Sequence, residues 1–220
     1  MLNLAEKLTL VSFDESKGKL SFRNHNVMRF GLKGAIALKL CQLGKIRFEN
    51  SKIILTDTTS TGDAILDNAV KVLGKKQKPV SLYNWIYGFS IYTAQLKKDI
   101  LMNLVDNAIL REEEKRFLGL FPMKRYSLTN REHYQRLSST LREVLINNRT
   151  DMAGEDQELV TLYAMCGYYP KYISNAERKE HKEKIKSIKK LTFFKSGNKN
   201  LEEVVKAIKK AIASQAATGS

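Results

Sequence analysis

Cysteine is scarce in this sequence: Cys41 and Cys166 are the only two in 220 residues. They lie far apart and belong to no C-x-x-C or Cys/His cluster. That excludes a disulfide scaffold and a zinc site, fits a reduced compartment, and leaves both as small buried apolar side chains. Histidine is equally thin. His25, His133 and His181 stand in neither H-x-x-x-H nor H-E-x-x-H spacing, so a metal hydrolase would lack its ligands. There is no G-x-S-x-G, no G-x-x-x-x-G-K-[ST] and no G-x-G-x-x-G. These absences point away from an enzyme, a metal and any other cofactor. No stretch approaches the roughly 18 uninterrupted apolar residues of a membrane span, and Met1 to Lys7 lacks the order of a signal peptide. The expectation is a soluble, cytoplasmic chain that can still lie on a membrane surface.

Acid is short relative to base. Twenty-three Asp and Glu against 38 Lys and Arg give a formal charge of +15, which favours an anionic partner: nucleic acid, anionic lipid or a phosphorylated ligand. The excess is present in every quarter of the chain, so a basic face assembled by folding is expected ahead of a basic arm. It is densest from Lys171 to Lys210, with 13 basic and 5 acidic residues. The run Arg178 to Lys190 holds only two apolar residues and reads first as a solvated helix surface, with added membrane attraction as its functional reading. At 43% hydrophobic residues the chain has ample core material, and disorder is excluded.

Periodicity predicts a mainly α chain, a single-domain helical bundle with amphipathic helices around it and two β-hairpins. A short helix over 2–13 ends in the polar turn Asp14 to Gly18. Leu32 to Leu43 is apolar nearly all round, which predicts a buried helix, and Gly44 stands where a C′ glycine belongs. A hairpin follows across Asn50-Ser51, pairing 45–49 with 52–57. Residues 64–73 have helical spacing, preceded by Thr61-Gly62-Asp63, where self-capping outweighs an anion site. Gly74 to Pro79 is an exposed basic loop. The aromatic run around Trp85 (Tyr83, Tyr87, Phe89 and Tyr92) reads as core ahead of a ligand cage. A helix over 91–104 leads to the second hairpin, with Glu113-Glu114-Lys115-Arg116 as its charged tip; the carboxylates of Glu112 to Glu114 are expected to be hydrated there and hardly perturbed. Thr129-x-x-Glu132 has capping-box spacing for a helix running to about Asn147. Further helices are expected over 159–169, within the basic segment 171–190, and over 200–213, where Asn200 to Glu203 caps an amphipathic stripe; 214–220 reads as a frayed tail.

Five segments in register resemble one family. They are Leu32-Lys33-Gly34-Ala35 through Leu43-Gly44-Lys45-Ile46; Ser60-Thr61-Gly62-Asp63-Ala64-Ile65-Leu66-Asp67; Trp85-Ile86; Asn103 to Leu110; and Leu118-Gly119-Leu120-Phe121-Pro122 with Arg125-Tyr126. Over roughly 2–165 their order resembles the Golgi phosphoprotein 3 family. The Leu-Gly-Leu-Phe-Pro form of the hairpin looks most like its prokaryotic or early-branching members. The resemblance implies a helical domain spanning 1–220 that is peripheral on membranes. It also implies recognition of phosphatidylinositol 4-phosphate, and a non-catalytic adaptor role toward cytosolic tails of membrane proteins, at the Golgi in a eukaryote. For the head-group pocket it implies Lys33 and Lys97, helped by Arg23 and Lys98. Two family positions depart: its Trp falls on Arg23 or Asn24, and the first of its paired Args on Ala94. Lysine keeps the charge and loses the planar fork of arginine.

Phe117, Leu118, Leu120 and Phe121 form an apolar wedge between Lys115-Arg116 and Lys124-Arg125, a composition that suits insertion at an anionic interface. Packing on a neighbouring helix or on a second subunit is an equal reading, and the resemblance implies both membrane contact and a homo-oligomer through this hairpin. The rival class is a winged-helix-like nucleic-acid binder, since a helix twice leads through a tight turn into a hairpin. The apolarity of 32–43 argues against it, and nucleic acid ranks behind anionic phospholipid as partner.

Overall fold

In the computed structural model residues 2–20, 25–88, 90–117, 121–167, 181–195 and 197–218 are described. The chain is organised around the longest apolar segment, helix α2 (His25–Gln42), which is buried without interruption from Gly31 to Leu38. The helix α1 (Leu4–Val11) packs on it, opened by a capping box: Asn3 Oδ1 accepts from Glu6 N at 3.0 Å and Glu6 returns a carboxylate to Asn3 N at 2.8 Å. Helices α7 (Gly154–Met165) and α9 (Lys199–Thr218) cover other sides of α2, as does the short α4 (Leu82–Tyr87). The close crossing with α9 explains Gly34: a Cβ there would lie 2.8 Å from Val204 Cγ1 and 3.2 Å from Ile208 Cδ1. Gly31 is barred in the same way by Cys166 Sγ, 2.5 Å from where its Cβ would be. Buried apolar residues from Leu2 to Ala211 form one connected cluster.

The fold is mainly α. Nine helices lie among the described residues, the others being α3 (Ala64–Gly74), α5 (Ser90–Asp106), α6 (Glu132–Leu145) and α8 (Lys182–Lys190). Three small antiparallel sheets accompany them. Strands β1 (Phe13–Asp14) and β2 (Lys19–Leu20) pair at the turn after α1. Strands β3 (Ile46–Glu49), β4 (Lys52–Leu55) and β5 (Val80–Ser81) form a sheet in that order. The expected first hairpin is there, with Asn50 and Ser51 both at positive φ (48° and 59°), the twist that a two-residue turn requires.

The second hairpin, β6 (Leu110–Phe117) with β7 (Phe121–Leu128), differs from expectation. Glu112 to Arg116 lie within the strand and not at a tip, and the chain reverses between Phe117 and Phe121. Cross-strand charge is the reason. Glu113 lies opposite Arg125 and Glu114 opposite Lys124 in register, Lys124 Nζ meets Glu112 Oε1 at 2.7 Å across the strands, and Glu113 pairs with Arg111 at 3.0 Å, so Glu112 and Glu113 find partners that a turn would have denied them. Glu112 is accordingly held below the usual carboxylate range, chiefly by its hydrogen bond from Lys124, a correction to the expectation of unperturbed acids.

Other boundaries move for identifiable reasons. The Thr129-x-x-Glu132 box does not form: Thr129 N is engaged by Ile109 O at the base of the hairpin, Asn130 Oδ1 takes Glu132 N, and α6 starts at Glu132. The cap of α9 is Asn198, whose Oδ1 accepts from Leu201 N at 3.0 Å, and not Asn200. The tail expected to fray from 214 is helical to Thr218, where alanines favour helix and Tyr83 Oη bonds Ser214 Oγ at 3.1 Å. In the basic segment, residues 171–180 lie outside the described residues. Helix α8 follows them, with Ile185 and Ile188 buried and Lys182, Lys186 and Lys190 exposed. Lys184 turns back to donate to Leu145 O at 2.7 Å, closing the end of α6.

Candidate functional site

Among the described residues, the basic positions expected at the head-group pocket fall on two helices, α2 and α5. Lys33 is fully buried, 0% exposed, on the face of α2 that meets α4. Its Nζ donates to the carbonyl of Ile86 at 3.2 Å and to that of Gly88, closing the C-terminal end of α4. In return Trp85, also 0% exposed, donates its indole Nε1 to the Lys33 carbonyl at 3.0 Å, which satisfies the one polar atom of a ring that is core, as its sequence context predicts. Burial, with repulsion from Arg29 added, pulls the Lys33 ammonium down to about 7. In this arrangement Lys33 positions the α4–α5 turn, and its amine is committed to backbone oxygens.

Arg29 sits one turn before Lys33 on α2, on the same face and half-buried. The apolar run that marks this helix in the sequence begins only at Leu32; the extension of α2 back to His25 brings Arg29 onto it. Lys97 and Lys98 are exposed on α5, which begins two residues after Gly88. Partial desolvation lowers the Lys97 ammonium below its usual range. Arg23 lies outside the described residues. Lys33 thus ends inside the protein at the turn before α5, while Lys97 and Lys98 are exposed farther along that helix.

The hairpin supplies the second feature. Phe117 and Phe121 are the last pair of an eight-residue ladder, and Leu118 and Leu120 lie outside the described residues. The aromatic pair therefore stands at the closing end of a hairpin whose strands would each extend about 27 Å, and not beside a charged tip. At the other end, Tyr126 N bonds Gly18 O at 2.8 Å and Arg125 Nη1 bonds Lys17 O at 3.0 Å, fixing β7 to the first turn of the chain.

The remaining motifs are structural locks. Asp63 caps α3 by accepting from Ile65 N and Leu66 N, and it also accepts from Asn3 Nδ2 at 2.7 Å. Asp67 gathers the hydroxyls of Ser60 and Thr61 and the Thr61 N–H. The self-capping expectation for Thr61-Gly62-Asp63 holds. The buried Lys45 bridges Asp57 Oδ2 and Thr59 Oγ1, each at 2.6 Å, and holds the Asp57 carboxyl down to about 2. Gly44 before it takes φ 67°, as its C′ position requires. Helix α2 is buried from Gly31 to Leu38, as its apolarity predicts. No helix among the described residues is long and apolar enough to cross a membrane.

Comparison with known proteins agrees with this arrangement of motifs. The family model described as Golgi phosphoprotein 3 matches residues 4–212. Over 150 residues the chain is 30% identical to vacuolar protein sorting-associated protein 74 of Schizosaccharomyces pombe. That match covers 59% of this chain and 44% of the relative, so the similarity spans less than half of the relative's length.

Proposed function

The chain belongs to the Golgi phosphoprotein 3 family, and from that premise we propose that it is a peripheral membrane protein that binds anionic lipid by phosphoinositide head groups, phosphatidylinositol 4-phosphate foremost. Its role is that of a non-catalytic adaptor in the trafficking or retention of membrane proteins, whose cytosolic tails are its clients. In a eukaryote its place is the cytoplasmic face of the Golgi.

The observation that supports this reading is the inward commitment of Lys33 at the turn before α5, with exposed lysines farther along that helix. Lys33 fixes the turn from which α5 departs, Lys97 and Lys98 are exposed residues of α5, and Arg29, half-buried one turn before Lys33, carries the planar fork that suits a phosphate. We assign head-group contact to Lys97, Lys98, Arg29 and Arg23, with Lys33 as the positioning residue. The apolar residues Phe117, Leu118, Leu120 and Phe121 are assigned to insertion, or to contact between copies of the chain on the membrane. Each cation at an anionic surface contributes ~1 kcal/mol, so the cluster suffices for reversible attachment.

Charge reversal on exposed side chains tests the assignment. Lys97→Glu/Lys98→Glu should weaken co-sedimentation with vesicles containing phosphatidylinositol 4-phosphate by at least tenfold while leaving the melting temperature unchanged. Undiminished binding by a folded double variant would remove these lysines from the site.

A further inference from the structure

A cleft opens beside the first turn of α4. It lies between the first turn of α4, the β3–β4 turn and helix α9, and is lined by Ser51, Ser81, Leu82, Tyr83, Asn84, Glu203, Lys206, Ala207 and Lys210, with a volume of about 480 Å³. That volume falls within the ~300–1,000 Å³ typical of ligand pockets. The floor is fixed: Leu82 is buried and its N–H is held by Ser51 O at 2.8 Å, and Tyr83 is pinned by its hydroxyl to Ser214 and stacks on Tyr87 at 5.5 Å. The walls carry the specificity. Lys210 Nζ stands 4.7 Å above the Tyr83 ring and makes no ion pair among the described residues. Lys206 lies one turn away on the same helix face, 3.5 Å from Glu203, whose other oxygen accepts from Ser51 Oγ at 3.0 Å.

We infer that this cleft is a docking site for an acidic peptide segment of a partner protein, in extended form, with two carboxylate side chains separated by one apolar residue. Lys206 and Lys210 are four residues apart on a helix, a rise of about 6 Å. Residues i and i+2 of an extended chain are about 6.8 Å apart on one face, so the two spacings match. The apolar residue between them points to the other face of the strand, away from the lysines, and packs on the edge of Tyr83. Ser51, Ser81 and Asn84 line the opposite wall, where hydroxyl and carboxamide groups can bond the peptide backbone. Glu203 selects against polyanions: a nucleic-acid backbone or a lipid phosphate would meet its carboxylate, whereas a peptide can direct an N–H there.

The test is selection without a presumed sequence. A random dodecapeptide phage library is panned against the whole protein and, in parallel, against Lys206→Glu/Lys210→Glu, with the enriched peptides remade with a fluorescein label for anisotropy. The expected result is enrichment of acidic-x-acidic peptides that bind the native protein at least tenfold more tightly than the double variant. Tyr83→Ser should also weaken them, while vesicle binding by the double variant stays unchanged. Enrichment of peptides indifferent to the double substitution, enrichment of basic peptides, or no enrichment at all would overturn the inference. Loss of vesicle binding in the double variant would assign these lysines to the membrane face instead and overturn it equally.

Discussion

Trp85 and Lys33 hold each other from opposite directions: the indole of Trp85 donates to the Lys33 carbonyl at 3.0 Å, while the Lys33 ammonium reaches past it to the carbonyl of Ile86 at 3.2 Å. Helix α4 is thereby fastened to α2 through backbone and side chain of one residue.

That fastening has a pH signature. Lys33 is lowered in the folded protein to about 7 from its ordinary 10.5, so the unfolded chain binds the proton more tightly through that window. Its contribution to stability is complete above about 10.5 and is lost as pH falls toward 7. Urea unfolding at pH 7 and pH 9 should show native stability rising relative to Lys33→Met by about 2 kcal/mol. Parallel pH profiles for the two proteins would mean that the amine is not buried.

Glu158 runs the other way. It is 2% exposed on α7, accepts from Gln42 Nε2 at 2.7 Å and from Asn198 Nδ2 at 3.0 Å, and faces Glu155 on its own helix and Lys39 on α2. Burial, chiefly, raises it from 4.5 to about 7, so its stabilisation is complete below 4.5 and lost as pH rises through 7. Glu158→Gln should be more stable than the native protein at pH 8, by about 2 kcal/mol, and nearly equal to it at pH 4.5. A variant less stable at pH 8 would show that the carboxylate is favourably ionised in place.

The α2–α9 crossing should tolerate no added methyl. Gly34→Ala gains helix propensity on the order of 1 kcal/mol, yet its Cβ meets Val204 at 2.8 Å, and overpacking of this kind costs about 1–3 kcal/mol. A lowered melting temperature is expected, and relief by Val204→Ala in the double variant would identify the contact as the cause.

Asp63 should behave as a cap and not as a ligand-binding group. Asp63→Ala removes the acceptor for Ile65 N and Leu66 N and for Asn3 Nδ2, and should destabilise by about 1–2 kcal/mol, with Asp63→Asn recovering part of it. Vesicle binding by the folded variant should be unaltered.

The regular parts of the fold were legible because their signals were redundant. The apolarity of 32–43, the Asn-Ser turn and the Asp63 cap each had period, turn chemistry and termini in agreement. What escaped was set by partners distant in sequence. Charges at Glu112 to Arg116 resemble a solvated turn until Lys124 and Arg125 are known to lie opposite. Thr129 looks like an N-cap until Ile109 claims its N–H. Lys33 carried two signals at once, a buried helix by composition and a head-group contact by resemblance, and local sequence could not show that its amine ends on Ile86 and Gly88. Arg29 had no apolar spacing to mark it as part of α2's inner face.

The most direct test of the central claim is co-sedimentation with vesicles containing phosphatidylinositol 4-phosphate against phosphatidylserine vesicles of equal surface charge, with a duplex DNA gel shift in the same buffer. Stronger binding to the phosphoinositide vesicles, maintained as salt is raised, is the predicted result. Equal binding to both lipids that falls together with salt, or binding to DNA alone, would contradict head-group recognition.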